Sequence, residues 1–193
     1  MSLEILPRPT GESPRLAPVE SHHAPLFCFA LLTVACALAS FAFACATPFA
    51  AFAVVAAAML PLPSALLTVA AAWLVNQGIG FGFLHYPVDV NTIAWALVIG
   101  AAALAATATS VMLLHATRRA SAAVAFGVAL LAGYAAYEFV LFAATPFLGG
   151  EDNFTVAIVG RLGGLNVPWL IGLIAACEVS RLFNAGRQRQ TVS

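Results

Sequence analysis

The stretch TPFAAFAVVAAAMLPLPS, residues 47–64, decides how many helices this chain forms. It lies within a nearly unbroken apolar run, residues 26–75, and it holds the only breaks in that run, at Thr47-Pro48 and at Leu60–Ser64. A membrane-spanning helix needs about 20 apolar residues, so the run forms either three helices of about 20, 13 and 13 residues or two long ones. Two helices would require a kink at the prolines, which membrane helices tolerate.

The composition is that of an integral membrane protein. Hydrophobic residues make up 62% of the 193 residues and charged residues 8%, whereas soluble domains carry about 25% charged residues. The apolar runs are continuous, which favours helices over the alternating strands of a β-barrel. We therefore expect an all-α, polytopic membrane helical bundle. The net charge is zero and lysine is absent, so no nucleic-acid partner is predicted.

Three later spans are clear, and their connectors orient the chain. They are predicted at 92–114, 121–145 and 153–177. Arg118 and Arg119 lie between the first two, and Arg residues favour the cytoplasmic side of a membrane. The turn that joins the last two spans and carries Glu151 and Asp152 is then outside, and so is the segment between the early helices and residue 92.

The predicted topology has six transmembrane helices with both termini in the cytoplasm. Five helices, with the N-terminus outside, are the alternative. The domain boundaries follow: a disordered Pro-rich arm at 1–25, a single transmembrane bundle at 26–182, and a short Arg-containing cytoplasmic tail at 183–193. The Arg-biased helical pattern favours a bacterial inner membrane.

No motif for catalysis, a metal or a cofactor emerges. The four cysteines lie in apolar runs without a C-x-x-C pair, which argues against a zinc or redox motif. Gly78, Gly80 and Gly82 do not form the dinucleotide-binding G-x-G-x-x-G. His22-His23 belongs to the arm, where a metal role is disfavoured. We expect no enzymatic activity, no cofactor and no metal site.

Two ionisable residues lie within the predicted spans, where such groups indicate function by default. Counted from the predicted helix ends, Glu138 and Arg161 lie at matching depth, so an ion pair between adjacent helices is plausible. One interpretation is a structural salt bridge. The other is the polar floor of a cavity open to the outside. Tyr134 and Tyr137 share a helix face with Glu138, which favours the cavity.

Glycines near Arg161 leave two further alternatives open. Gly160 and Gly164 have the spacing by which membrane helices pack closely. Together with Gly163 and Pro168 they could instead unwind the helix near Asn166, and discontinuous helices are typical of transporter sites.

The polar stretch NQGIGFGFLHYPVDVN, residues 76–91, lies on the predicted outer side, above Glu138 and Arg161. We interpret it as the rim or lid of an outward-facing pocket. Its glycines bend it, its aromatic rings cover a ligand, and its polar groups orient one. The predicted substrate-binding residues are Asn76, Gln77, Phe81, His85, Tyr86, Asp89, Tyr134, Tyr137, Glu138, Arg161 and Asn166.

Six apolar helices in about 190 residues, little loop mass and an outward polar layer resemble the substrate-binding (S) components of energy-coupling-factor transporters. The resemblance implies capture of a small solute and docking on a transmembrane coupling subunit driven by ATPases. It also implies docking through Ala-x-x-x-Ala spacing in the first helix, matched here by Ala35, Ala39, Ala42 and Ala46. The loop after the first helix is shorter than in that family. The chain begins Met-Ser rather than Met-His, so a nickel or cobalt ligand at the N-terminus is not predicted.

The predicted function is therefore a membrane solute-binding or transport protein with an outward pocket for a small, organic solute, whose partner subunits supply the energy. The alternative is a structural or accessory subunit of a larger membrane complex, with Glu138–Arg161 as an inter-helix salt bridge.

Overall fold

The computed structural model describes the backbone of residues 15–43 and 46–190, and their side chains apart from those of Asn153 and 186–190. The described residues contain no β-strand. They form six helices and one short 3-10 turn, at Glu151–Asn153. The helices are α1 (Ala24–Phe43), α2 (Phe49–Met59), α3 (Leu62–Gly82), α4 (Val90–Ala116), α5 (Ala122–Leu148) and α6 (Val156–Gln190).

Five of the six helices, all except α2, are long and apolar enough to cross a membrane. The predicted all-α membrane bundle is thus confirmed, and so is the division of residues 26–75 into three helices. The middle one, α2, has only 11 residues, about 16 Å of helix, so it is too short to span by itself. The two proline breaks end α1 and α2 as the sequence indicates.

The five long helices surround α2. Neighbours pack in the order α1, α3, α4, α5, and α2 contacts all five of the others. The α4–α5 hairpin is the most extensive interface, since small residues let the backbones approach. A Cβ at Gly133 would lie 2.8 Å from the Ser110 hydroxyl. On the α3–α4 interface, the Trp73 ring covers Gly100 and its indole N–H donates to the Ala96 carbonyl at 2.9 Å.

The central helix α2 is apolar on every side, as a helix in a protein core or in a membrane is. Every residue except Ala57 is buried, and those from Phe49 to Val55 are at most 1% exposed. The Phe52 ring meets the Phe49 and Trp169 rings edge-on, with centroids 5.9 and 6.1 Å apart. The core of the protein is therefore built around α2.

One end of the bundle carries the N-terminal segment, the α4–α5 turn and the end of α6; we call it the inner end. Here the residues 15–19 form a strap across the base of α2. The Leu16 amide donates to the Ala58 carbonyl at 3.2 Å, the Arg15 guanidinium donates to the Leu114 carbonyl at 3.2 Å, and the Asn184 amide donates to the Pro18 carbonyl at 3.0 Å. The strap satisfies carbonyls at the ends of α2 and α4, which have no partner within their own helices.

The first and last helices extend beyond both predicted ends of the bundle. The sequence predicts a disordered arm at 1–25, but Leu16 is only 5% exposed and α1 begins at Ala24; residues 1–14 lie outside the described residues. The sequence also predicts a tail that follows the last helix from residue 183. Instead α6 continues to Gln190, and Arg181–Gln190 contains no proline to end it.

The α3–α4 connection and the α5–α6 turn lie together at the opposite, outer end, because consecutive long helices alternate in direction. Of the five arginines whose side chains are described, Arg15, Arg118, Arg119 and Arg181 lie at or near the inner end, and Arg161 lies in the outer half of α6. The acids are divided: Asp89, Glu151 and Asp152 lie at the outer end, and Glu20 and Glu178 lie at the inner end. The asymmetry of the arginines agrees with the orientation predicted from the Arg residues.

Candidate functional site

The polar groups of the bundle interior converge on the outer tip of α2. We call Ser40, Thr47, Asn76, Gln77, Tyr137 and Asn166 the polar collar. They come from α1, the α1–α2 connection, α3, α5 and α6. Because α2 fills only the inner part of the bundle, the non-helical backbone that leads into it lies within the protein. Such backbone is tolerated at membrane depth where protein surrounds it or where it lines a cavity.

Asn76 joins three elements on one side of the collar. Its amide donates to the hydroxyls of Ser40 at 2.8 Å and Thr47 at 2.9 Å. Its carbonyl oxygen accepts from the Gln77 amide at 3.0 Å, and Ser40 in turn donates to the Cys36 carbonyl at 2.7 Å. Asn76 therefore has both amide hydrogens and its oxygen engaged, while the side-chain oxygen of Gln77 keeps free acceptor capacity.

Asn166 caps α2 from the other side. Its side-chain oxygen accepts from the Ala51 backbone N–H at 3.0 Å, and its amide donates to the Leu162 carbonyl at 3.0 Å. The first N–H groups of a helix lack partners within it, and the residue at the N-cap of α2, Pro48, makes no side-chain cap. A residue 115 positions away supplies the cap instead, so Asn166 has a structural role in this fold.

The interface between α5 and α6 is organised by Tyr134. Its hydroxyl donates to the Val159 carbonyl at 2.7 Å, and its ring lies so close to Gly163 that a Cβ there would be 2.8 Å from a ring carbon. Gly163 is thus the glycine that permits close packing. A Cβ added at Gly160 or Gly164 would have nothing within 4 Å, so the spacing of these two glycines does not serve packing within the described chain.

Glu138 and Arg161, both among the described residues, form no ion pair. The contacts of Tyr134 do place these side chains at similar depth. However, Arg161 lies two residues from both Val159 and Gly163, which turns it about 160° away from the face that meets α5. Arg161 is exposed. The expected salt bridge is therefore wrong. The depths of the two residues agree, but the Arg161 side chain points away from α5.

The α6 helix is also continuous from Val156 through Gly163, Gly164 and Pro168. The expected local unwinding does not occur, and Arg161 and Asn166 do not converge. The helix that stops within the bundle is α2, whereas α6 is continuous.

Glu138 is a carboxylate within the span of α5. It is partly buried and lies one turn after Tyr134 on the same helix. Tyr137, on the same helix, is 9% exposed, and its ring stacks on Phe49 with centroids 6.3 Å apart. Of the predicted face of Tyr134, Tyr137 and Glu138, Tyr137 touches the tip of α2, whereas Tyr134 packs against α6.

The outer stretch 76–91 is less of a loop than expected. Asn76 and Gln77 do not end α3, which continues through the glycines to Gly82. The chain then folds back: the Tyr86 amide donates to the Gly80 carbonyl at 3.1 Å, and its ring covers Gly80, where a Cβ would lie 2.7 Å from a ring carbon. The reversal uses a left-handed backbone at His85, with φ of 55°.

The rings and charges of this outer stretch are engaged locally. Phe81 meets Tyr86 edge-on, with centroids 6.3 Å apart, and His85 is exposed. Asp89 caps α4 by accepting from the Thr92 backbone N–H at 2.9 Å and from the Thr92 hydroxyl at 3.0 Å. These bonds, the backbone one foremost, lower the pKa of the Asp89 carboxyl. Asp89 therefore has a capping role at the start of α4.

The predicted docking residues divide between the interior and the surface. Ala35 and Ala39 are 5% and 0% exposed, because the α1–α3 contact covers them, so they do not form an exposed docking face. Ala42 is exposed and Ala46 partly buried. The exposed face of α1 carries Val34, Leu38 and Phe41 instead.

Sequence reasoning missed Ser40, Thr47 and the tip of α2. The signal that could have found them is the Thr47-Pro48 break, which indicates more than a helix boundary. A hydroxyl beside a proline inside a long apolar run marks the place where the backbone leaves helical geometry within the bundle.

Comparisons with family models, with curated proteins and with solved structures find no match for this chain. Its function must therefore be inferred from the geometry of the chain itself.

Proposed function

We propose that this integral membrane protein binds a small solute from the outer side, at the polar collar. The observation that carries the proposal is α2, a short helix whose N-terminal tip lies inside the bundle among convergent polar groups. Half-helices that point their N-termini at a site within the membrane are typical of transporters. A collar of hydrogen-bonding groups and aromatic rings is also the usual lining of a small-molecule site.

Gln77 of the collar and Glu138, the residue after the collar residue Tyr137 on α5, are suited to contact a solute. Asn76 and Asn166 have their hydrogen-bonding atoms engaged within the protein. Gln77 has a free acceptor, and the partly buried Glu138 carboxylate has two acceptor oxygens. We assign solute contacts to Gln77 and Glu138, and positioning roles to Asn76 and Asn166. Release to the other side, by partner subunits of the kind found in energy-coupling-factor transporters, belongs to the same proposal.

The test is native mass spectrometry of the gently purified protein and its variants. We expect the wild type to retain a small molecule and E138Q or Q77L to retain clearly less, because a lost hydrogen bond to a charged group weakens binding by roughly tenfold or more. R161Q is the matched control, because Arg161 faces away from α5, and it keeps the molecule. Equal retention by E138Q, Q77L and R161Q, or no retained molecule in the wild type, would overturn the proposal.

A second candidate, an accessory subunit of a membrane complex, is favoured by a different observation. A groove of about 470 Å³ lies between α1 and α6 and is lined by apolar residues, among them Leu38, Trp169 and Gly172. Gly172 has nothing within 4 Å of an added Cβ, so G172L fills the groove without disturbing the core. This candidate predicts that a stoichiometric partner protein is retained by the wild type and lost by G172L. G78L, at an equally open glycine on α3, is the control.

A further inference from the structure

Three metal-ligating side chains lie together in the turn between the strap and α1. The His23 amide donates to the Glu20 carbonyl at 2.9 Å, which closes the turn. Within it, His22 Nδ1 lies 3.5 Å from the Glu20 carboxylate, and the His22 and His23 rings have centroids 3.8 Å apart. One ligand atom from each of the three residues lies within 4.8 Å of the others.

These separations suit coordination of one ion. Zinc holds nitrogen and oxygen ligands at about 2.0–2.1 Å in a tetrahedron, which places two ligands about 3.4 Å apart. The observed 3.5 Å between His22 and Glu20 already matches that separation. The His23 ring needs only a side-chain rotation, since all three residues are exposed and nothing in the core holds the ring in place.

We propose that Glu20, His22 and His23 form a binding site for one divalent transition-metal ion, of the zinc, nickel or cobalt class, at the inner end of the bundle. Two imidazoles and one carboxylate exclude magnesium and calcium as preferred ions, because those take oxygen ligands. Exposure leaves the remaining coordination positions to water, as in zinc sites with three protein ligands.

An ordinary ion pair is the competing explanation, and it accounts for less. It would need only Glu20 and His22, whereas the turn also brings the His23 ring against His22. The third ligand is therefore what distinguishes a metal site from a surface salt bridge.

The location gives the ion a mechanical effect. The strap is fastened to α2, α4 and α6 through Leu16, Arg15 and Pro18, and the proposed ligands occupy the short turn that links it to α1. An ion held there fixes the angle between strap and helix. We expect bound metal to suppress local opening of the strap, which exposes the peptide bond after Arg15 to trypsin.

The first measurement is isothermal titration of ZnCl₂ into the purified full-length protein in detergent. We expect one Zn²⁺ per chain with micromolar or tighter affinity. H22A, H23A and E20Q each weaken binding by about tenfold or more, since even an outer-shell partner contributes that much. H85A and H115A, which remove the other two histidines of the chain, are the controls. We expect them to leave binding unchanged. All five positions are exposed, so folding is preserved.

The second measurement is the rate of tryptic cleavage after Arg15, with Zn²⁺ and with a chelator. Zn²⁺ slows cleavage severalfold in the wild type and in H115A, but not in H22A. An absence of stoichiometric Zn²⁺ binding, or equal binding by H22A, H23A and the wild type, would contradict the proposal. Normal binding by E20Q, together with weakened binding by H22A and H23A, would reduce the site to a two-histidine chelate and disprove the three-ligand assignment.

Discussion

The inner and outer parts of this bundle differ in what fills the space inside the ring of five long helices. The inner part contains α2, whose apolar side chains pack against all five long helices. The outer part has no helix to fill it and contains non-helical backbone, whose polar groups must be paired. The polar collar supplies those partners. Where a helix is missing from a membrane interior, hydrogen-bonding side chains take its place.

The comparison predicts that the largest losses of stability come from the inner part. F52A removes a ring that is 0% exposed and should lower the free energy of unfolding by about 3–5 kcal/mol, as expected for a buried Phe. Denaturant unfolding in detergent measures the change. F139A is the control, because Phe139 is 72% exposed and faces the lipid side. A loss for F139A as large as for F52A would show that α2 is not the centre of the core.

Asn166 is the polar group whose removal should cost most, because it leaves the buried Ala51 N–H without a partner. N166A should destabilise the protein by about 1–3 kcal/mol, the cost of such an orphaned group. N184A, on the same helix but at the watery inner end, removes one hydrogen bond and should cost less. The same unfolding assay compares the two, and equal losses would be inconsistent with the capping of α2 by Asn166.

Asn76 should rank next. N76A removes the hydrogen bonds to Ser40 and Thr47, and side-chain hydrogen bonds between membrane helices contribute about 0.6 kcal/mol on average and at most about 2. We expect a loss of about 1–2 kcal/mol on that scale. Q77A, which removes only the bond to Asn76, should cost about half as much. A larger loss of stability in Q77A than in N76A would contradict the assignment of the main structural role to Asn76.

The smallest effect is expected at Asp89, which caps α4 from an exposed position. Its folded-state pKa is lowered, so the carboxylate contributes stability at neutral pH, and this contribution is lost as the pH falls through that lowered pKa. The melting temperature of D89A should lie slightly below that of the wild type at neutral pH and converge with it in acid. D152A, in the outer 3-10 turn, is the control. A difference that grows on acidification would have the wrong sign for this cap.

Much of this architecture could be predicted because it depends on length and apolarity alone. The proline breaks at Thr47-Pro48 and Leu60–Ser64 divide the first apolar run correctly, and the Arg118-Arg119 connector gives the order of inner and outer ends. Membrane helices are apolar on all sides, however, so the pattern of apolar residues does not tell which face meets lipid. The complete burial of α2 follows from tertiary packing and leaves no periodic signal.

The candidate site could be predicted less well, for a related reason. Polar residues are correctly placed at one end of the bundle, but their partners cannot be read from spacing. Asn166 pairs with a backbone amide 115 residues away, and Arg161 turns outward although its depth matches that of Glu138. Depth follows from counting residues, whereas direction around a helix depends on which neighbour the helix packs against.

The brevity of α2 has a consequence for how the protein is made. The helices α1 and α3 both run from the inner to the outer end, so the chain must return between them through a segment of only 11 helical residues. A segment this short lacks the length to settle in a bilayer as an independent span. It can become stable only when later helices close around it. Insertion of the first half of the chain should therefore wait for synthesis of α4 to α6. In a chain truncated after α3, α2 is not held in place, so α1 and α3 should fail to keep the same direction across the membrane.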